Sequence, residues 1–317
     1  MAVWAGFWTL GLIWGSSFLL IKVGVQDFTP LQLIAIRIGT AAIAMLITLR
    51  LTGLHFPKDR HSRLGIVVVG LFNTAIPFFL ITWGEQSIPS GLATVLNATV
   101  PLFSLIIAHF ALADEKITGL KVLGLASGFI GIVILASRNL GEEGLGGSLA
   151  GQVAILVASL CYAGATVFMR RNLRHLKPMV VSSGALLTAS IATLSAALLI
   201  DGLPNLGSVS PQGGASVLVL GLMNTYVAYL IFYWIIDRWG ATRATLVTYV
   251  MPPVGLTLGA IFLSEVVDAR LVIGAVMIVA GVALVNLRLK RRAAVPVEAA
   301  LASGEGEPCP DPALAAK

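Results

Sequence analysis

Charged residues are scarce in this sequence. Asp, Glu, Lys and Arg make up 11% of its 317 residues, whereas 57% are hydrophobic. A soluble domain of this size carries about 25% charged residues. Because so little polar surface cannot cover a globule in water, we expect the protein to lie in a lipid bilayer.

Cysteine is also rare, and motifs for nucleotide hydrolysis are missing. Cys161 lies in an apolar run and Cys309 lies near the C-terminus, so the sequence contains no disulfide framework. It has no Walker A pattern and no stretch long enough for a soluble domain. We therefore do not expect this chain to hydrolyse ATP. We predict no cofactor and no metal site.

The positive net charge of +6 does not indicate a nucleic-acid partner. The basic residues flank apolar runs and form no stripe, so the predicted partners are a small-molecule substrate and the bilayer, with no nucleic acid. The N-terminus lacks the basic region of a signal peptide, and its first apolar run is too long for one. We therefore interpret that run as a retained first helix.

Ten apolar runs are long enough to span a membrane, which takes about 20 residues for about 30 Å of hydrocarbon. They cover residues 3–22, 30–50, 64–83, 90–112, 117–137, 149–169, 179–200, 214–236, 241–263 and 269–287. The sequence thus predicts an all-α polytopic membrane protein. Residues 293–317, rich in Ala, Pro and Gly without periodicity, are predicted to be disordered.

The stretch from residue 70 to 101 is repeated at 221–252. At a constant offset of 151 residues, 8 of 32 positions are identical, including Asn73/Asn224, Trp83/Trp234 and Pro101/Pro252. Paired Asn, Trp and Pro at identical spacings indicate an internal duplication. The predicted organisation is repeat 1 at 3–137, a connector at 138–148 and repeat 2 at 149–288.

The distribution of Lys and Arg predicts the orientation. Sixteen of them flank the spans on the side of the N-terminus and three on the opposite side. By the positive-inside rule, both termini face the cytoplasm. Because each repeat has five helices, an odd number, the second repeat is inverted relative to the first, an architecture that recurs in secondary transporters.

Short motifs along the chain carry a family resemblance. Residues 13–18 read Ile-Trp-Gly-Ser-Ser-Phe, Lys22 ends the first helix, and Arg37 follows in the second. Both repeats then contain a proline and a later glutamate: Pro101 with Glu115, and Pro252 with Glu265. The sequence from residue 3 to about 288 resembles the EamA domains of the drug/metabolite transporter superfamily.

The resemblance implies a ten-helix transporter without ATPase activity, in which helices 1–4 and 6–9 surround a central cavity. The superfamily includes exporters in bacterial inner membranes, such as YddG-type aromatic amino-acid exporters. It thus implies export of amino acids, with nucleobases, polyamines or drugs as alternative substrates. Helix 6 departs from the pattern, because Tyr162 stands where Trp14 would be repeated.

Polar and aromatic side chains within the spans are the candidates for substrate contact. An unpaired amide in hydrocarbon costs several kcal/mol, so each polar group either faces a wet cavity or bonds to a neighbouring helix. The candidates are Trp14, Ser17, Asn73, Asn97, Tyr162, Asn224, Tyr226, Thr248 and Tyr249. Tyr229, like Tyr226, either stacks on an aromatic ligand or packs within the bundle. Trp83 and Trp234 lie near helix ends and are interpreted as interfacial anchors.

Five residues are candidates for charge and gating roles: Lys22, Arg37, Glu85, Pro101 and Pro252. Arg37 is too deep to face lipid, so it is expected to face the bundle, where it either caps carbonyls or attracts an anionic group. Lys22 is close enough to a helix end to snorkel to the interface, and Glu85 is interpreted as a solvated loop residue. The two prolines are expected to kink helices 4 and 9, as hinges or as a curved wall.

Two other functions stay open at this point. A passive channel is compatible with an inverted repeat, whereas an intramembrane serine protease fits poorly, because His109 is the only span-located histidine. No acidic residue lies in the middle of a span, which favours facilitated movement over obligatory proton antiport, with Glu85 or Glu115, nearer the span ends, as the alternative proton site. Gly124 and Gly128 at GxxxG spacing favour intramolecular packing, and we expect a monomer or a weak homodimer.

Overall fold

The computed structural model describes residues 1–112, 117–137, 145–205, 207–240 and 244–286, without the side chains of 145–148. Glu115, connector residues 138–144, Cys309 and the tail predicted to be disordered (293–317) lie outside the described residues.

Ten helices in the described part of the chain are long and apolar enough to cross a membrane. They are α1 (Ala2–Gly24), α2 (Pro30–Leu51), α3 (Arg60–Gly84), α4 (Ser90–Ala111), α5 (Gly119–Ala136), α6 (Leu145–Asn172), α7 (Pro178–Ile200), α8 (Pro211–Trp239), α9 (Thr245–Leu263) and α10 (Ala269–Asn286). The predicted all-α fold with ten spans as two inverted five-helix repeats is confirmed. One buried apolar cluster contains side chains of α1 to α8 and of α10.

Side chains cap several helices at their N-termini. At α2, Thr29 accepts a hydrogen bond from Gln32 N and forms a capping box with it. At α3, Asp59 accepts one from Ser62 N at 2.7 Å, and the hydrogen bonds from Ser62 lower the pKa of this carboxyl. Short loops can therefore connect antiparallel neighbours without leaving helix ends unsatisfied.

The duplicated stretches have the same backbone irregularity. A π-helical turn occupies Leu71–Ala75 in α3, and another occupies Leu222–Val227 in α8. Such turns are rare and frequently occur at functional sites. Pro77 follows the first turn and Ala228 stands at the matching position in α8, so a missing backbone N–H is not what produces both turns. Asn73 and Asn224 therefore occupy equivalent positions within the two turns.

Helices α4 and α9 are both interrupted near their middle. In α4, the segment Ser90–Asn97 ends and a new one begins at Val100. In α9, a 3-10 segment, Thr245–Tyr249, precedes an α-helix that begins at Met251. Pro101 and Pro252 lie in the first turn of the second segments, where their missing N–H groups cost least. The predicted interruptions by these prolines are confirmed.

Helices α5 and α10 pack closely against each other through glycine. A Cβ at Gly124 would lie 2.6 Å from Gly281 O, and one at Gly131 would lie 2.8 Å from Gly274 O. Ser127 Oγ donates a hydrogen bond to Met277 O at 2.9 Å. The prediction that the GxxxG helix packs within the molecule is confirmed.

The two ends of the bundle are packed differently around α4. We call the end that contains Lys22 the Lys22 end and the opposite one the Trp239 end. Toward the Lys22 end, the first segment of α4 packs on α1 and α9, so closely that a Cβ at Gly255 would lie 2.3 Å from Thr94 Oγ1. Toward the Trp239 end, the second segment of α4 packs on α6, which also contacts the first segment, while the 3-10 segment of α9 packs against α1. The bundle is thus sealed between α4 and α9 at the Lys22 end.

Candidate functional site

Arg37 lies inside the bundle, where three helices meet. Its side chain is 6% exposed, and its Nε donates a hydrogen bond to Thr225 Oγ1 of α8 at 3.1 Å. Its Cζ stands 4.1 Å from the ring centroid of Phe78 of α3, a cation–π contact. The prediction that Arg37 faces the bundle is confirmed.

Two tyrosines complete this centre, which we call the Arg37 site: Arg37, Phe78, Tyr162, Thr225 and Tyr229. Tyr162 of α6 and Tyr229 of α8 are close enough to Arg37 to interact with it electrostatically. Of the three guanidinium nitrogens, only Nε has a hydrogen-bond partner among the described residues. The two terminal nitrogens are left for another group, and a guanidinium binds carboxylates through paired N–H donors.

Tyr162 was a candidate from the sequence, and Tyr229 was weighed as a ring that stacks on a ligand or packs, whereas Phe78 and Thr225 were missed as site residues. The duplication contained a usable signal, because Phe78 and Tyr229 occupy equivalent positions at the 151-residue offset. The two residues are not identical, so a search for identical pairs passes over them. The site therefore takes one aromatic ring from each copy of the repeated stretch.

Asn224 connects α8 to α1. Its Nδ2 donates hydrogen bonds to Ser17 Oγ at 3.0 Å and Ser16 Oγ at 3.1 Å, and also to Ile13 O. The alternative of an interhelical hydrogen bond is therefore correct for Asn224. Asn73, its duplicate, is half-buried and has no hydrogen-bond partner among the described residues.

Three of the remaining candidates stabilise contacts between helices. Trp14 packs against Phe232 of α8, with ring centroids 5.2 Å apart. The hydroxyl of Tyr226 is 2.8 Å from Thr48 Oγ1 of α2. Tyr249 donates to Val282 O of α10 at 2.8 Å, which places it away from the Arg37 site.

The last two candidates and the paired tryptophans lie elsewhere. Thr248 donates to Thr245 O in its own helix at 2.9 Å. Asn97, at the break in α4, has a buried Oδ1 without a partner among the described residues. Trp83 is 41% exposed near the end of α3, whereas Trp234 packs on Gly6 beneath the guanidinium of Arg238.

Lys22 of α1 is hydrogen-bonded to the loop between α3 and α4. Its Nζ donates hydrogen bonds to Glu85 O at 2.5 Å and to Ile88 O at 3.0 Å. The interpretation that Lys22 merely snorkels to the interface is wrong, because its ammonium group satisfies two backbone carbonyls of the protein. These two bonds belong to the seal of the Lys22 end.

Glu85 is fully buried, with 0% of its side chain exposed. Its interpretation as a solvated loop residue is wrong: Lys22 of α1 bonds to its backbone carbonyl, and Gly151 of α6 packs against the preceding Gly84. Both carboxyl oxygens lack a hydrogen-bond partner within the described residues. Burial raises the pKa of Glu85 well above its usual value; the charge of Lys22 opposes this shift, and that of Glu265 adds to it.

Glu265 closes the same end from the loop between α9 and α10. Its carboxylate accepts hydrogen bonds from Ser90 N at 2.6 Å and from Gly91 N at 2.9 Å. An anion is favoured at this position because the N-terminus of a helix, here α4, presents free N–H groups and a positive dipole end. The second repeat thereby holds the first repeat at the Lys22 end.

Comparison with known proteins gives one family and consistent relatives. The model of the EamA-like transporter family matches residues 3–137 and 149–287. The "Uncharacterized inner membrane transporter YedA" of Escherichia coli (strain K12) is 30% identical over 262 residues, 82% of each chain. A "Probable amino-acid metabolite efflux pump" of the same organism is 25% identical, over 90% of this chain and 95% of the other. One solved crystal structure shares the fold, with a TM-score of 0.63 and 19% identity over 89% of this chain and 96% of that one.

Proposed function

This chain belongs to the EamA-like transporter family, and from that premise we propose that it exports amino acids, aromatic ones among them, by alternating access. Membership of this family by itself indicates a membrane-embedded transporter of small molecules. The observation that carries the proposal of amino-acid export is the Arg37 site, a buried guanidinium with two unbonded nitrogens beside the ring of Phe78 and near Tyr162 and Tyr229. A relative named as a probable amino-acid metabolite efflux pump supports the same substrate class.

The chemistry of the Arg37 site fits an α-carboxylate. The terminal nitrogens of Arg37 would hold the two oxygens of the carboxylate side by side, and the rings of Phe78 and Tyr229 would contact the substrate side chain. Polyamines fit poorly, because a buried cation repels them. Nucleobases and amphipathic drugs can stack on the rings but leave the charge of Arg37 unpaired, so they remain the alternative substrates.

The direction of transport rests on the asymmetry of the positive charges. With sixteen Lys and Arg on the side of the N-terminus, that side is the cytoplasm, and the Lys22 end faces outward. In the proposed cycle, this conformation, with α4 packed on α9 at the outer end, is the one assigned to substrate entry from the cytoplasm. We place the protein in the inner membrane of a bacterium, with both termini inside, as the name of the relative YedA also suggests.

Alternating access would use the interruptions in α4 and α9. In this conformation the first segment of α4 is held by α9, and its second segment packs on α6. Because the repeats are inverted, the opposite state would exchange these roles, with the 3-10 segment of α9 sealing the cytoplasmic end. The intramembrane-protease alternative loses support, because Ser127 is hydrogen-bonded to α10 and His109 accepts a bond from Ile117 N.

Counterflow in proteoliposomes tests the proposal. Vesicles loaded with unlabelled L-phenylalanine should accumulate labelled L-phenylalanine transiently and with saturation, whereas a passive channel would give linear flux. Phenethylamine, which has the ring and the amine but no carboxylate, should not compete. Arg37→Lys should lower transport by about 10-fold or more, because an ammonium group cannot reproduce the paired donors of a guanidinium. Counterflow of nucleobases without counterflow of any amino acid would overturn this substrate class.

A further inference from the structure

The carboxyl group of Glu85 has no function in the Arg37 site, yet it is the acidic side chain buried most completely in the described part of the chain. Neither oxygen has a hydrogen-bond partner there. An ionised carboxylate without hydrogen bonds is strongly disfavoured in such a place, whereas the neutral acid is tolerated. In this buried position the carboxyl group of Glu85 is therefore expected to carry a proton.

The charged neighbours of Glu85 each hydrogen-bond to other atoms. Lys22 of α1 uses its ammonium group on the backbone carbonyls of Glu85 and Ile88. Arg37 of α2 is bonded to Thr225, and Glu265 from the α9–α10 loop accepts from the backbone of α4. No hydrogen bond from these groups reaches the carboxyl oxygens of Glu85. No ion pair therefore compensates for the hydration that an ionised carboxylate loses on burial.

Among the described residues, the part of α6 that contacts the loop after α3 offers no charge either. Gly84 and Gly151 pack so tightly that a Cβ on Gly84 would lie 2.8 Å from Gly151 O. The next residue of α6, Gln152, is buried and uncharged, and its Nε2 lacks a partner among the described residues. In this conformation the side chain of Glu85 is fully buried, so solvent does not contact its carboxyl group.

We propose that Glu85 is a proton-binding site that controls the Lys22 end: the end closes when this carboxyl is protonated and opens when it is ionised. The reaction is the simple binding of a proton from the solution on that side, COO⁻ + H⁺ → COOH, and it involves no other bond. Once neutral, the side chain can be buried, and Lys22 can close over the loop. The inference deepens the proposed function, because it adds a proton to the alternating-access cycle.

Spin labels at Gln26 and Gln86 test the proposal without any substrate. Both residues are exposed, one beyond the end of α1 and the other in the loop that Lys22 holds. We would attach the labels in the full chain with Cys161→Ser and Cys309→Ser, reconstituted in lipid nanodiscs, and measure the distance distribution. As the pH is raised from acid to alkaline, the wild type should gain a population with a longer distance, because the proton leaves Glu85.

Three variants separate a proton site from a structural role. Glu85→Gln, which stays neutral, should keep the short distance at every pH. Glu85→Asp should keep the pH dependence with a shifted midpoint. Glu265→Gln is the matched control: it should weaken the seal but leave the response to pH in place. The proposal is overturned if Glu85→Gln responds to pH as the wild type does, or if the wild type does not respond.

Infrared spectroscopy gives a second measurement that does not depend on motion. A protonated carboxyl has a C=O stretch that a carboxylate lacks, and Glu85→Gln should remove this band from the pH-difference spectrum. Persistence of the complete band in Glu85→Gln would overturn the proposal. Because neither experiment uses an amino acid, a failed counterflow assay with an intact pH response would count against the substrate class alone.

Discussion

Asn73 and Asn224 occupy the same position in two copies of one stretch, but within the described residues only Asn224 is hydrogen-bonded to another helix. The duplication therefore preserved the residue and the π-helical turn around it, while the two amides acquired different surroundings. Asn224 holds α8 against α1 through Ser16 and Ser17. Asn73 keeps an amide that can bind a substrate or water.

The first prediction contrasts Asn224→Ala with Asn73→Ala. Removing Asn224 deletes all its hydrogen bonds to α1, and interhelical bonds of this kind are worth about 0.6 kcal/mol each in membrane proteins. We expect Asn224→Ala to cost about 1–2 kcal/mol of stability and to lower the Tm in detergent.

Asn73→Ala is the matched control, since it has the same change in the same turn. It should leave the Tm close to that of the wild type and reduce counterflow. A Tm loss in Asn73→Ala as large as in Asn224→Ala would contradict the asymmetry of the two sites.

The second prediction concerns the aromatic wall of the Arg37 site. Phe78→Leu keeps an apolar side chain but removes the ring that faces the guanidinium at 4.1 Å. A ring contact of this kind contributes about 1 kcal/mol. We therefore expect transport of L-phenylalanine to fall by about 5-fold relative to that of L-leucine, measured as the ratio of the two initial rates. An unchanged ratio would show that Phe78 does not contact the substrate side chain.

The spans and the duplication could be read from the sequence because both depend on local features. Ten apolar runs are a matter of length and composition, and a repeat is found by comparing the chain with itself. Pro101 and Pro252 likewise mark breaks in α4 and α9 because proline acts on its own helix.

The surroundings of Glu85 and Asn224 could not be read in the same way. Glu85 follows a span directly, so its position along the chain favours a solvated loop, yet its side chain is fully buried. Asn224 and Asn73 are identical in type and spacing, and only the neighbouring helices distinguish them. The burial and the hydrogen-bond partners of such residues depend on which helices pack against them. Loop residues have no hydrophobic periodicity from which this packing could be predicted.

The third prediction tests the pairing of α5 and α10. A Cβ at Gly281 would lie 2.5 Å from Gly124 O and 2.7 Å from Gly128 N, and both are backbone atoms that cannot move aside easily. Gly281→Leu should therefore destabilise the protein by about 1–3 kcal/mol or more, seen as a lower Tm and a lower yield of folded protein.

The control for this variant is Gly119→Ala, also in the pair of packed helices but with open space where a Cβ would stand. It should be neutral for stability. Normal Tm values for both variants would mean that the close approach of α5 and α10 is not needed for the fold.

The fourth prediction concerns the bond between Lys22 and the loop after α3. Lys22→Met keeps the length of the side chain but removes the donors to Glu85 O and Ile88 O, so the loop should leave α1 more often. We would place a cysteine at Ile88, which is 1% exposed, with Cys161→Ser and Cys309→Ser, and measure its labelling by a membrane-impermeant maleimide. If the free energy of opening falls by about 1.4 kcal/mol, the open state becomes about 10-fold more populated, and labelling should be about 10-fold faster in Lys22→Met. Lys22→Arg should stay slow, since a guanidinium can donate to the same two carbonyls; equal rates in all three proteins would mean that Lys22 does not hold this end closed.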